Sequence, residues 1–372
     1  MSSSGCPAAC RATIRARVRL PDPVLFACPL ALYAIGLDAL RTTTKAVAGV
    51  PLVYRQLAWG VVAATTGAVA AAIPPSWYRR TAVVGWCVTV ILLLAVLTQP
   101  PTNGARSWFR LGPLSLQPAE LAKLTATLAT AAILAHRRKT LKHWLGAAAF
   151  CLIPAGLIVA QPDIGNASLF IPIWIAAVLA SRPRRSVALA HLLVVAVCAA
   201  LLLPTLTAEQ RARLASFLHQ SDYATRPDAE GYQLHQAKRA IMLAGLWGSA
   251  QARETHIPMA YNDFIFSLTM AHRGLLGGTA ILVLYALLIG RLTWLAESCS
   301  HRFAALYLVG TAAWLGAQAT ANLAMTVGLA PITGITLPFV SYGGSSLVVS
   351  CTALTIAWRL KPRARPPAFA FD

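Results

Sequence analysis

Apolar residues in this chain come in long blocks separated by short polar stretches, not with the period of a surface helix or strand. Predominantly apolar runs cover about 23–40, 56–75, 80–98, 118–136, 143–161, 166–181, 186–206, 264–290, 304–327 and 345–360. Roughly 20 apolar residues in a helix cross the hydrocarbon core of a bilayer. The pattern therefore predicts an all-α polytopic membrane protein with about ten transmembrane helices. The sixth run is short, which suits a span with little tilt, packed among its neighbours.

The polar stretches orient the spans. Basic residues bunch at Arg11 to Arg19, Arg79-Arg80, Arg137 to Lys142, Arg182 to Arg185, Arg291 to Arg302, and Arg359 to Arg365. Loops rich in Lys and Arg stay in the cytoplasm. Alternation then puts both termini there, as an even number of spans requires. Three units follow: a basic tail over 1–22, a membrane domain over 23–360 and a second tail over 361–372. No small-residue cleavage site follows the basic start, so the first helix is expected to be retained. The opposite face carries 99–117, 328–345 and a large loop, 207–263, between the seventh and eighth spans. Long loops without obvious regular structure are commonly functional. The segment 328–345 is rich in Gly, Pro and Ser yet fairly apolar. It is expected to be re-entrant or packed on the bundle, because bare backbone cannot face lipid.

Composition narrows the class further. Hydrophobic residues make up 57% and charged residues 12%, against about 25% charged in soluble domains. The net charge of +20 sits in loop clusters, not on one face, which argues against a nucleic-acid binder. It sets topology and meets anionic lipid. The eight cysteines are scattered and complete neither a disulfide framework nor a zinc spacing. No phosphate-binding Gly-x4-Gly-Lys-Ser/Thr loop and no HExxH occurs, so an ATPase or a zinc protease is poorly supported.

Four outer segments hold the candidate chemistry. The first contains Arg106, Ser107, Trp108 and Arg110, then Gln117-Pro118-Ala119-Glu120 and Lys123. Pro118 suits a first helical turn. Glu120 and Lys123, three apart, share a helical face and read either as a structural ion pair or as part of a site. Trp108 reads either as an interfacial anchor or as a binding residue. The second segment is Gln161-Pro162-Asp163-Ile164-Gly165, in which Asp163 is expected to cap the next helix. The third runs from Gly231-Tyr232-Gln233 to Asn262-Asp263-Phe264-Ile265-Phe266. There Asp263 stands where loop becomes helix, again an N-cap position. The fourth is Pro331-Ile332-Thr333-Gly334 through Leu337-Pro338-Phe339-Val340-Ser341-Tyr342-Gly343-Gly344-Ser345.

In this order the four segments resemble the SEDS family of cell-wall proteins, which includes FtsW, RodA and SpoVE. The likeness extends over roughly Asp22 to Leu360, and Pro331 to Ser345 match almost throughout. The resemblance implies a ten-span peptidoglycan glycosyltransferase of the bacterial cytoplasmic membrane. Such an enzyme polymerises lipid II, an undecaprenyl-pyrophosphate-linked disaccharide-peptide, beside a class B penicillin-binding protein, in division, elongation or sporulation. The family's essential aspartate maps onto Asp263 and its first-loop tryptophan onto Trp108. Departures mark a divergent paralogue. Ser107 replaces an arginine, Met259, Ala260, Tyr261 and Asn262 replace a Glu-x-His-Thr/Ser stretch, and Ala271-His272-Arg273-Gly274 replaces Glu-Glu-Leu-Gly.

Glycosyl transfer needs a base for the acceptor hydroxyl and positive charge at the leaving pyrophosphate. Asp263 is the candidate base. Arg106, Arg110, Lys123, Lys238 and Arg239 are candidate cations, and Gln117, Glu120, Asp163, Gln233, Ser341 and Ser345 complete the candidate substrate site. No cofactor is called for. A divalent cation, Mg or Mn, is compatible, although no dense acidic cluster argues for one. Two other classes fit part of the pattern: a flippase for lipid-linked precursors, given the intramembrane charges Asp38, Lys123 and Arg273, and a non-catalytic scaffold for a penicillin-binding protein.

Overall fold

The computed structural model describes residues 22–43, 46–47, 49–101, 105–111, 114–218 and 231–361. The arginine-rich segment before Asp22, residues Gly112 and Pro113, and the tail beyond Lys361 lie outside the described residues.

A helix stands on every apolar run. The first five are α1 (Pro23–Arg41), α2 (Leu52–Ala72), α3 (Pro75–Val96), α4 (Pro118–Leu134) and α5 (Leu141–Val159). The sixth run divides at Leu169 into α6 (Ile164–Ser168) and α7 (Phe170–Ala180), and α8 covers Arg185–Leu202. The large loop, which from sequence lacked obvious regular structure, is partly helical. It contains α9 (Ala208–Leu218), α10 (Tyr232–Leu243) and α11 (Ala250–Arg253). Then come α12 (Ile265–Glu297), α13 (Arg302–Thr326) and α14 (Gly344–Leu360). Two small hairpins complete the chain: β1 (Ala46–Val47) with β2 (Val50–Pro51), and β3 (Phe109–Leu111) with β4 (Leu114–Leu116), both antiparallel. Five helices, α1, α3, α5, α8 and α12, are long and apolar enough to cross a membrane by length and composition.

Local chemistry explains several boundaries. Asp22 caps α1, accepting from the Leu25 N–H, and Pro23 occupies its first turn. Pro118 opens α4 in the same way. At the other end of the long helix, Arg291 of α12 forks onto the Asp22 carboxylate (Nη2 to Oδ2, 2.9 Å), tying the start of α1 to α12.

The bundle is centred on α4 and α13. Helix α4 packs against α3, α5, α7, α13 and α14, while α13 also meets α7 and α12, and α14 lies along α2. Almost all of α4 is buried, including Glu120, Lys123 and the three threonines Thr125, Thr127 and Thr130. A helix buried all round would ordinarily be apolar. Here Thr125 and Thr127 bond back into the helix, as from Thr127 to the Lys123 carbonyl at 2.7 Å, and Thr130 meets Cys151 Sγ of α5.

Helix α12 is broken at Gly274, whose φ of 62° and ψ of −160° suit only glycine. The α10–α11 connection fills the break. Leu275 N–H donates to the Gly245 carbonyl and Ser249 N–H to the Ala271 carbonyl, at 2.9 and 3.3 Å. A Cβ on Gly274 would lie 2.3 Å from the Leu246 carbonyl carbon. Gly274→Ala is therefore expected to cost roughly 3 kcal/mol or more through overlap and backbone strain. Gly290→Ala, which meets nothing within 4 Å, should be neutral or mildly stabilising. Thermal unfolding midpoints of the two variants in detergent check the contrast.

Candidate active site

The 331–346 segment folds into the bundle. Ile335, Leu337, Phe339 and Val340 are all buried. Its path depends on close backbone approach: a Cβ on Gly36 would meet the Val340 carbonyl oxygen at 2.3 Å, and one on Gly165 the Thr333 oxygen at 2.4 Å. Side chains from two other elements, α2 and α13, hold it, and its own Ser345 adds a further tie. Gln56 Nε2 donates to the Ser341 carbonyl at 3.2 Å. Gln318 Nε2 donates to the Thr336 carbonyl and Asn322 Nδ2 to the Ile335 carbonyl, at 3.0 and 2.7 Å. Ser345 Oγ donates to the Ser115 carbonyl and accepts the Gln117 N–H, both at 3.1 Å.

The turn preceding α12 is stitched to the same segment. Ser341 Oγ donates to the Asn262 carbonyl and accepts the Leu337 N–H, and Tyr342 N–H donates to the Tyr261 carbonyl. Asn322 Nδ2 also reaches the Asp263 carbonyl at 2.8 Å. Asp263 is not the N-cap expected from sequence. Phe264 holds that position and no side chain caps α12. The turn continues through Asp263, so its carboxylate instead faces Gly334, 3.9 Å from Oδ2 to where that residue's Cβ would stand. Among the described residues the Asp263 carboxylate has no hydrogen-bond or ion-pair partner. It keeps part of its surface open within densely packed surroundings. That desolvation, countered by the Arg213 cation and reinforced by the negative charge of Asp163, pushes its carboxyl up to about 6.

Asp163 does cap a helix. Its Oδ1 accepts the Asn166 N–H at 3.0 Å, and Oδ2 accepts from Asn166 Nδ2 and from Gln117 Nε2, at 2.9 and 3.2 Å. Burial raises its carboxyl above the ordinary range despite the Asn166 bonds. Beneath it, Lys123 is fully buried. Its ammonium donates to Glu120 Oε1 at 2.8 Å and Gln318 Oε1 at 2.7 Å, and lies 5.2 Å from the centre of the Trp314 ring. The ion-pair reading of Glu120 and Lys123 is the one the geometry supports. The Lys123 ammonium is thus enclosed and engaged by the chain's own groups.

The other expected residues are dispersed. Arg106 and Arg110 are exposed on the segment around the β3–β4 hairpin, with Trp108 half-buried between them. Arg106 Nη1 donates to the Leu97 carbonyl at 3.4 Å. Gln233 and Lys238 are half-buried on α10, Arg239 is exposed, and α10 docks Leu234 and Ala237 against Phe264, the neighbour of Asp263. Both hydroxyl functions of Ser341 and of Ser345 are engaged by the chain's own backbone, so these serines pin the loop. Sequence reasoning missed Gln56, Arg213, Gln318 and Asn322. Gln318 and Asn322 were detectable as two amides four apart inside an apolar run, hence on one helix face. A cavity of about 430 Å³ opens beside the site, lined by Thr42, Arg253, His256, Met259, Tyr261 and His272 among others. None of the expected binding residues lines it. No group of three or more His, Cys, Asp or Glu side chains among the described residues could hold a metal ion.

Bundle and site define a class: a helical protein with membrane-length apolar helices, whose infolded segment faces a carboxylate at the mouth of a long helix. The chain belongs to the FtsW/RodA/SpoVE family, since that family's model, described as "Cell cycle protein", matches residues 25–365. The chain is similar to the "Probable peptidoglycan glycosyltransferase FtsW" of Coxiella burnetii, with 31% identity covering 91% of this chain and 95% of the relative. It is also similar to a chain in the solved structure "Structural coordination of polymerization and crosslinking by a peptidoglycan synthase complex" (30% identity, TM-score 0.76, 91% and 96% of the two chains). A third likeness is to the Thermus thermophilus rod shape determining protein RodA, with 27% identity, TM-score 0.68, and 91% and 95% of the two chains covered.

Proposed function

We propose that this chain is a peptidoglycan glycosyltransferase that polymerises lipid II at the outer face of the bacterial cytoplasmic membrane, with Asp263 as the general base. The observation that carries the reading is the state of Asp263. A carboxylate near 6 is largely ionised at neutral pH, yet is a stronger base than an ordinary aspartate. As the acceptor hydroxyl oxygen forms the new glycosidic bond, its proton passes to Asp263 and the donor's bond to the lipid pyrophosphate breaks. Arg213, whose charge already reaches Asp263, and the exposed Arg106 and Arg110 are the cations available to the departing pyrophosphate. The names carried by the similar proteins support the same reaction. The synthase-complex likeness supports a class B penicillin-binding protein as partner.

The decisive experiment supplies purified protein with labelled lipid II and its penicillin-binding partner. Polymer is the expected product. Movement of lipid II between leaflets without polymer would make the protein a flippase. Neither activity, with partner binding retained, would make it a scaffold.

The membrane arrangement belongs to this proposal: ten spans within 23–360, basic cytoplasmic tails over 1–22 and 361–372, and the loops 99–117, 207–263 and 328–345 on the outer side. Trp247 and Leu141 are both well exposed, one in the large loop and one beside the Arg137 to Lys142 cluster. In a cysteine-free background, a membrane-impermeant thiol reagent should label Trp247→Cys in intact cells and leave Leu141→Cys unlabelled until the cells are opened. The reverse pattern would invert the topology.

A further inference from the structure

At the far end of α12 from Asp263, a cavity of about 470 Å³ opens between the α12–α13 turn and the α4–α5 turn. Its wall includes Arg79, His136, Arg137, Ser300, His301 and Arg302, all exposed. The three arginines come from three separate parts of the chain: α3, the α4–α5 turn and the first residue of α13. No carboxylate lines the cavity, and among the described residues none of the three guanidinium groups is in an ion pair. The positive field extends to Lys139, whose ammonium is depressed by burial and by the charge of Arg302. Helix α13 starts in the cavity wall without a side-chain cap, so its unsatisfied N–H groups add to that field.

Setting topology requires only that basic residues lie near the ends of spans. It does not require guanidinium groups from distant segments to converge on one concavity that no carboxylate lines. We propose that this cavity binds a phosphate-bearing anion through Arg79, Arg137 and Arg302, with His136 and His301 as further donors. Guanidinium forks match phosphate oxygens in pairs. The volume exceeds that of a bare phosphate, which leaves room for the rest of a phospholipid headgroup or of a soluble phosphate compound.

The test uses the full chain. Protein in nanodiscs of phosphatidylcholine, with or without phosphatidylglycerol, is assayed for lipid retained on release by native mass spectrometry. Protein in detergent is titrated with inorganic phosphate and followed by thermal shift. The expected result is retention of phosphatidylglycerol or a saturable phosphate response. Arg137→Gln/Arg302→Gln should weaken it by about tenfold or more, equivalent to about 1.4 kcal/mol. Arg79→Gln is the independent second variant. The charge-matched control Arg184→Gln/Arg185→Gln, on exposed residues outside the cavity, should leave binding unchanged. All these side chains are exposed, and monodisperse elution checks that the variants fold. Lipid retention without a phosphate response identifies a headgroup, and the converse identifies a soluble ligand. Equal loss in cavity and control variants, or no response to either probe, overturns the proposal.

Discussion

Asp263→Asn should reduce glycan polymerisation by at least the roughly hundredfold associated with a general base, while leaving the protein as stable as before or more so. The stability half follows from the raised carboxyl. A group whose folded pKa lies near 6, above its ordinary value of 3.8, contributes stability that is complete below about pH 4 and lost as pH rises through 6. At neutral pH the ionised carboxylate is thus a net cost, of order 1–3 kcal/mol before allowance for its partial exposure. A neutral amide removes that cost. Asp263→Ala should behave similarly, because the side chain caps nothing. The wild-type rate should climb with pH through about 6 as the base ionises. Polymerisation assays from pH 5 to 8, with melting curves on the same preparations, read both halves. A folded Asn variant with wild-type rate would remove Asp263 from the chemistry.

Lys123→Met should be the most damaging substitution for stability, at about 3–5 kcal/mol. It leaves the Glu120 carboxylate buried without its cation, when Oε2 already lacks a partner, and it strips Gln318 Oε1 of its donor. The loss should spread to the site, since Gln318 also holds the Thr336 carbonyl in the segment that faces Asp263. Lys123→Met/Glu120→Leu replaces both charges with apolar groups of similar bulk, and should recover much of the loss. A double-mutant cycle on unfolding midpoints measures the coupling, and strictly additive losses would mean the two charges do not interact. The Asp38–Arg273 pair provides the contrast. It is bidentate, at 2.7 and 2.8 Å, but its side chains are 37% and 62% exposed. Breaking it should change stability little, because solvent screens an exposed pair.

Much of this protein was legible in the chain alone. The apolar runs placed the helices, because a long uncharged stretch has one way to satisfy its backbone away from water. Pro118 marked the start of α4, and the Asp163 cap followed from its position before a helix. The pairing of Glu120 with Lys123 followed from their three-residue spacing. Other features depend on contacts between residues far apart in sequence, which local pattern cannot encode. Nothing near Asp263 in the chain says that its carboxylate turns from α12 toward Gly334, and the N-cap expectation failed for that reason. The break at Gly274 exists because a distant connection, Gly245 to Ser249, supplies the hydrogen bonds that the helix gives up. Ser341 and Ser345 read as candidate substrate-site residues in a Gly-rich segment. Only folding reveals that Asn262 and Ser115 occupy their hydroxyls. The raised pKa of Asp263 likewise comes from burial and from Asp163, one hundred residues earlier in the chain. Sequence determined which long apolar segments are helical and which residues are chemically able. The tertiary structure decided which of them are desolvated, which are already satisfied and which are left to act, because hydration and long-range pairing are properties of the packed chain.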